Sequence, residues 1–394
     1  MSETARPLAA ARSDSVSPLP SQRELFDLPA DITYLNCAFM SPVMHRVHEA
    51  GRAGLGLRGR PWELGADDFF APAEHVRGLF ARLIEADADD VAFVPAVSYG
   101  IGTAARAVAC AAGQRIITLR EQFPSNIYPW QALAEQTGAT WTPLDYPDDH
   151  DLTAALLETI GPDTAAVAVP QVHWFTGARI DLAAVGRRCR EVGAALVVDA
   201  TQSMGTSALS VREIQPDFLI TATYKGLLGP YGLCFLYAAP HRRDAAPLEE
   251  GWLNRHNSHD FANLTDYAAD YRPGARRYDM GERANTVALP MARAAFAQLL
   301  EWTLPRVERS VTQLIHRVID EAQAAGLEHT PPRFCSPNMV GVRLPDDAPG
   351  DTAARLKQAG AYVSIRKGRM RLSPHVYNDE QDIADFFRLL QQVT

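Results

Sequence analysis

Six short apolar runs recur through the middle of the chain: Val91 to Pro95, Arg115 to Leu119, Ala165 to Val169, Ala195 to Val198, Phe218 to Thr221 and Leu233 to Tyr237. They are rich in β-branched residues, and most are separated by amphipathic stretches of helical length. Such runs are the mark of strands buried on both faces, and their alternation with helices predicts a mainly parallel sheet covered on either side. The fold class is therefore α/β.

After about Asn285 the pattern changes. A long helical segment begins at Ala288, with Pro290 in its first turn and Pro305 forcing a break or kink. A strand (Met339 to Leu344), a helix (Asp351 to Ala359), a strand pair between Val363 and Ser373 and a closing helix from Asp379 follow, which together make a compact α+β module. The expected organisation is a tail at 1–22, a large domain at 23–288 and a small C-terminal domain at 289–394. With 394 residues, 47% of them hydrophobic, the chain can bury more than one core without help from disulfides or metals. Residues 1–22 are rich in Ser, Pro, Ala and Arg without apolar periodicity, so they read as a mobile tail that orders only if something docks on it.

Several function classes are disfavoured. The formal charge of -9 arises from 38 basic against 47 acidic residues, and no stretch concentrates Lys and Arg enough to follow a phosphate backbone, so nucleic acid is not an expected partner. The five cysteines, Cys37, Cys110, Cys189, Cys234 and Cys335, are scattered and never spaced as a metal-binding pair, so neither a disulfide framework nor a metal is expected. The N-terminus has no signal-peptide core and no run of uncharged apolar residues is long enough to span a bilayer, so a cytoplasmic protein with no membrane partner is expected.

In open α/β sheets ligands gather beyond the carboxyl ends of strands, so polar residues that terminate the apolar runs are the candidates for chemistry. Asp199 ends the run Ala195 to Val198; in isolation it reads equally as a helix N-cap. Lys225 follows the strand of DFLITATYKG and precedes a Gly-Pro-Tyr-Gly turn; partial burial would lower its pKa and make it a nucleophile suited to imine chemistry. Ser98, Tyr99 and Gly100 open a helix just after Pro95, where free backbone N–H groups and the helix dipole favour a phosphate, although an ordinary N-cap serine would look the same. The three together, in this chain order on one sheet, are far more specific than any one alone.

That order, and the blocks VVDATQSMG and DFLITATYKGLLGPYG, resemble the class V aminotransferase group of fold-type I enzymes dependent on pyridoxal 5′-phosphate (PLP), which includes cysteine desulfurases, kynureninase and isopenicillin N epimerase-like proteins. The resemblance runs from YLNCAFMSP near Tyr34 to RLSPHVYNDEQDI near the C-terminus. It implies a mainly parallel seven-stranded sheet sandwiched by helices, with a smaller α+β C-terminal domain. By the same resemblance, Asp199 would pair with the pyridine nitrogen, Gln202 would hydrogen-bond the ring's phenolic oxygen, and Lys225 would hold the cofactor as a Schiff base and then move the substrate α-proton. Ser98, Tyr99 and Gly100 would contact the phosphate, with Thr223 adding a hydroxyl.

Other positions follow in the same way. Phe123, in EQFPSNIYPW, stands where the family stacks an aromatic ring over the cofactor; it could stack but not exchange protons. His173 and Trp174, in VPQVHWFTGARIDL, occupy the place of residues near the ring, with a hydrogen-bonded core histidine the other reading of His173. Arg371, in MRLSPHVYN, matches the arginine that grips the substrate carboxylate, a task suited to a bidentate guanidinium; Arg366 is second choice. Asn36 and Cys37, in YLNCAF, lie in a segment that lines the substrate pocket of relatives. RRYDMGERANTVALPM resembles the loop that reaches the partner subunit's phosphate, which implies a homodimer with its sites at the interface. Glu282 would repel phosphate there, so the contact would fall to Arg283 or Asn285.

The reaction is less constrained, because one cofactor site serves transamination, lyase chemistry and racemisation. The stretch QAGAYVSIRKGRM ahead of Arg371 contains no cysteine, which argues against a desulfurase of the usual design. The expectation is an aminotransferase for an amino acid or amine, with a β-elimination lyase or epimerase as the alternative and a catalytically idle scaffold as the alternative of another class.

Overall fold

The computed structural model describes residues 16–394. Its centre is a sheet of seven strands, β1 (Val91–Val94), β2 (Arg115–Leu119), β3 (Thr140–Leu144), β4 (Thr164–Pro170), β5 (Ala195–Asp199), β6 (Phe218–Ala222) and β7 (Cys234–Ala238), in the spatial order β1-β7-β6-β5-β4-β2-β3. Only β7 is antiparallel to its neighbours, so the carboxyl ends of the other six open on one edge. The six apolar runs supply every strand except β3. That one, Thr-Trp-Thr-Pro-Leu, is at the sheet's border and mostly half-buried, and it carries Pro143, which an edge strand tolerates.

Alternate residues of the strands face opposite cores, as period-two geometry requires. Val167, Val169, Leu196 and Val198 point into one core, and Ala166, Ala168, Val197 and Ile220 into the other. Helices α1 (His45–Arg58) and α2 (Ala71–Leu83) cover the first face; α3 (Val97–Ala107) and α4 (Tyr128–Thr137) cover the second; α5 (Leu152–Thr159), α6 (Leu182–Val192) and α7 (Ala288–Trp302) return to the first.

A second body is made of the antiparallel strands β8 (Val340–Arg343), β9 (Ser364–Arg366) and β10 (Arg369–Leu372), in the order β9-β10-β8, with helices α8 (Leu304–Ala324), α9 (Thr352–Gln358) and α10 (Glu380–Val393). Helix α10 starts where Asp379 accepts from the Asp382 amide, and its own amide is capped in return by Asp382. The helical segment breaks before Pro305: Thr303 has φ of +66° and Pro305 enters the first turn of α8. Phe296 and Leu299 of α7, and still Leu304 and Val307 of α8, pack in the large core, whereas Leu314, Ile315 and Val318 pack with Met370, Leu372 and Phe386. The change of core thus falls inside α8 rather than at residue 289.

The expected tail at 1–22 is corrected where it is described. The Leu19 amide donates to Ser310 Oγ at 2.7 Å, Arg306 Nε donates to Ser17 O at 3.2 Å and the Gln22 amide donates to Val376 O at 2.7 Å, so 17–22 lie along α8 and the turn before α10. Residues 1–15 of that expectation lie outside the described residues. A little further on, Thr33–Tyr34 pairs in parallel with Ala361–Tyr362, which adds an N-terminal strand to the second body. No helix among the described residues is long and apolar enough to cross a membrane.

Candidate active site

Where the carboxyl ends of β1, β2, β4, β5 and β6 converge, a cavity of about 280 Å³ is lined by Ser98, Phe123, Trp174, Asp199, Gln202 and Lys225, among others. Asp199 is the last residue of β5 and is 8% exposed, and its Oδ1 accepts the Thr201 amide at 3.0 Å. Burial pushes its carboxyl above the usual carboxylate range, while the Thr201 hydrogen bonds and the nearby Lys225 charge pull it back.

Lys225 stands just beyond β6, the neighbour of β5. Burial brings its amine down to about 8, against the attraction of Asp199 and with some help from Arg371. Its turn presses on the turn after β5: Gly205 has φ of +88°, and a Cβ there would lie 2.2 Å from the Gly226 carbonyl oxygen. Glycine is required at that crossing. Behind it, buried His375 donates from Nε2 to the Gly226 carbonyl at 3.1 Å and accepts the Val376 amide at Nδ1, which fixes one neutral tautomer; burial lowers its pKa to about 4. Sequence reasoning missed His375, although it lies in the block that yielded Arg371.

At the other end of the cavity α3 begins after Ala96. The amides of Val97, Ser98 and Tyr99 have no acceptor within the helix, and Ser98 borders the cavity. Gly100 does not belong with them: its amide donates to Ala96 O at 3.2 Å, and a Cβ there would meet Ile220 Cγ2 at 2.8 Å. It is a packing residue that lets α3 lie against β6. The Tyr99 hydroxyl is turned to Glu249, which leaves only its amide for a ligand.

The aromatic positions separate clearly. Phe123 is 47% exposed, lines the cavity, meets Trp174 edge-on at 5.7 Å and has Lys225 Nζ 6.0 Å from its ring centre. Trp174 also lines the cavity and donates from Nε1 to Glu121 O at 2.6 Å. His173 faces the other way. It is buried, bonded to Thr176 Oγ1 at 2.9 Å and brought down to about 3 by burial, so it is a core histidine rather than a cavity contact. Gln122, Thr201, Tyr224 and Tyr231 also border the cavity; their signal was only their place beside residues already singled out.

Other expected contacts move away. The Thr223 hydroxyl is buried and directed at the carbonyls of Pro230 and Leu233, so the Gly-Pro-Tyr-Gly turn has taken the donor expected at the phosphate. Gln202 borders the cavity with Nε2 on Ala38 O at 3.2 Å. Asn36 is buried and accepts from Ser364 Oγ at 2.8 Å, and the Cys37 thiol, also buried, is pushed up to about 12. Arg371 is 3% exposed behind Trp174: it donates to Trp174 O at 3.0 Å, lies 5.7 Å from that ring's centre and leaves Nε without an acceptor. Arg366 is exposed on the neighbouring strand.

The Arg283 expectation is corrected. Its guanidinium is fully buried against Asp279, at 3.1 Å, and near Phe70, so in this conformation it cannot extend to another subunit. Asn285 is exposed, but its Oδ1 accepts the amides of Val287 and Ala288 and caps α7.

A family model described as aminotransferase class-V matches residues 42–386. An uncharacterized aminotransferase, YcbU, of Bacillus subtilis (strain 168) is 28% identical over 372 residues, covering 93% of this chain and 95% of the relative. A probable cysteine desulfurase of Pyrococcus abyssi (strain GE5 / Orsay) is 25% identical, covering 81% of this chain and 82% of its own. Among solved structures, the cystine C-S lyase C-DES, in a mutant with glycine covalently linked to its PLP cofactor, superposes with a TM-score of 0.85 at 18% identity, over 95% of this chain and 100% of that one. At that identity the likeness is one of fold.

Proposed function

The chain belongs to the class-V aminotransferase family, and we propose that it is a PLP-dependent aminotransferase acting on an amino acid or amine. The observation that carries this reading is the pairing of Asp199 and Lys225, a buried carboxylate and a depressed amine, at the ends of neighbouring parallel strands in one cavity. The donor set fits the cofactor. The Ser98 and Tyr99 amides at the start of α3, with the Ser98 hydroxyl, suit a phosphate; Asp199 suits a ring nitrogen; Phe123 offers a plate for the ring.

When bound, PLP supplies an electron sink and a carrier for the amino group. Asp199 holds a proton on the ring nitrogen, a task favoured by a carboxyl that burial makes more basic. Lys225 would anchor the cofactor and would take and return the proton at the substrate α-carbon, and an amine near 8 is suited to both directions. Phe123 cannot exchange protons, so that work falls to Lys225. Arg371 receives the substrate carboxylate on its unpaired Nε.

A lyase is the second reading, favoured by the names of relatives. Against a persulfide relay, burial pushes the thiols of Cys37, Cys189, Cys234 and Cys335 up to about 12, so none of these four is a ready thiolate. Titration of the holo-protein with a panel of amino acids tests the assignment. Conversion of its visible absorbance to that of the pyridoxamine form is expected; release of pyruvate and ammonia without that conversion would overturn it in favour of the lyase. The reading includes a homodimer, supported by Trp252 and Phe261, which pack with Phe69 yet stay 44% and 39% exposed, and tested by light scattering.

A further inference from the structure

Four arginines share one face of the small sheet. Ser364 stands opposite Arg371 and Arg366 opposite Arg369 in the β9–β10 register, and Arg369 in turn is opposite Arg343 on β8; with a period of two, Arg366, Arg369 and Arg371 point the same way. Two of the four are neutralised: Arg369 pairs with Glu328, and Arg343 with Glu328 and Asp346. Arg366 and Arg371 pair with no carboxylate among the described residues. Among the described residues the Arg366 guanidinium donates only from Nη1 to its own strand's Ile365 O, at 2.8 Å. Like charges directly opposite on a sheet are destabilising, and Arg366 opposite Arg369 gains nothing from the protein in return.

The position of this hairpin gives the charges a purpose. Lys367, at its turn, is ion-paired with Glu121 of the large domain. Glu121 directly precedes Gln122 and Phe123, both of which border the cavity, and its carbonyl accepts the Trp174 indole N–H. The pair therefore ties the hairpin that carries Arg366 to the segment bordering the cavity, with Arg366 close enough to Arg371 to act on its charge, while Arg371 lies behind Trp174 and close enough to Lys225 to act on its charge. One cation is buried and one exposed, and among the described residues neither has a counter-ion.

We propose that the substrate is a dicarboxylic amino acid, held by Arg371 at its α-carboxylate and by Arg366 at its side-chain carboxylate. The proposal rests on the amino-transfer reading for the identity of the deeper carboxylate. A planar guanidinium at each end gives charge-assisted recognition of both groups, and the two carboxylates offset the repulsion between Arg366 and Arg371.

The test uses the holo-protein and two non-reacting probes, glutarate and butyrate, with binding followed by quenching of indole fluorescence. Glutarate is expected to bind about 10- to 100-fold more tightly than butyrate, the range for one charge-assisted contact. Arg366→Gln is expected to bring the two together and Arg366→Lys to restore part of the difference. Arg366 is exposed, so both variants leave the core intact. Equal affinity for the two probes, or a preference that survives in Arg366→Gln, overturns the proposal. Glutamate against glutamine, followed by loss of the visible absorbance, separates it from the reading beneath it. An Arg366-dependent preference for glutarate with no conversion by any amino acid supports the dicarboxylate site and removes amino transfer. Conversion that does not discriminate glutamate from glutamine removes the dicarboxylate site alone.

Discussion

Asp199 and Lys225 stand at adjacent strands of one sheet, in a backbone fixed by Gly205 against Gly226, whereas the β9–β10 hairpin meets the Trp174 and Phe123 edge of the large body through single side-chain contacts, Lys367 with Glu121 and Arg371 with the Trp174 carbonyl. The floor of the cavity is therefore set by strand register, and its mouth by the relative placement of domains. Changes to the floor should act on chemistry, and changes to the mouth on selection and affinity.

The strongest way to break this division is Lys225→Ala, which removes both the anchor and the proton carrier and should reduce amino transfer at least about 10³-fold. Borohydride reduction and peptide mapping of the unaltered holo-protein should place the adduct on Lys225 alone. A pH series sharpens the same point. The neutral amine is the reactive form, so cofactor uptake by the cofactor-free protein should rise with pH and flatten near 8, instead of climbing toward the ordinary lysine value of 10.5. Because folding disfavours the protonated amine, that form of the protein should also lose stability as pH falls from 10.5 to about 8, measurable by thermal melts.

Asp199→Asn keeps the shape of the floor and removes its charge. A loss of about 10²-fold or more in single-turnover amino transfer is expected, with substrate affinity little changed. A larger effect on affinity than on turnover would place Asp199 with the mouth. Gly100→Ala tests the packing beneath: its new methyl would meet Ile220, and overpacking of that kind costs about 1–3 kcal/mol, seen as a lower denaturation midpoint. Trp174→Phe should have the smallest effect. It deletes the indole bond to Glu121, worth about 1 kcal/mol, and should raise KM about fivefold at nearly constant kcat.

The same division explains what the sequence revealed. Six of seven strands and the places of Asp199 and Lys225 were legible because each depends on a local apolar run and the residue that ends it. Strand β3 was not, since Pro143 and partial exposure at the sheet's border weaken its pattern. Trp174 and His173 are adjacent, and only the tertiary path of the chain decides which faces the cavity. Thr223 lost its expected role to carbonyls seven and ten residues away. Arg283 lost its role to an ion pair with Asp279, which Arg77 also holds. Resemblance could align these residues but could not supply the packing that turns them.

Helix α8 adds a mechanical consequence. Its first turns belong to the large core and its later turns to the small one, so it works as a lever with its fulcrum beside the Thr303 break. At 1.5 Å per residue its 21 residues span about 30 Å. A tilt of roughly 10° at the fulcrum would therefore sweep the far end through about 5 Å, a displacement larger than the reach of the Lys367 contact that it would have to strain.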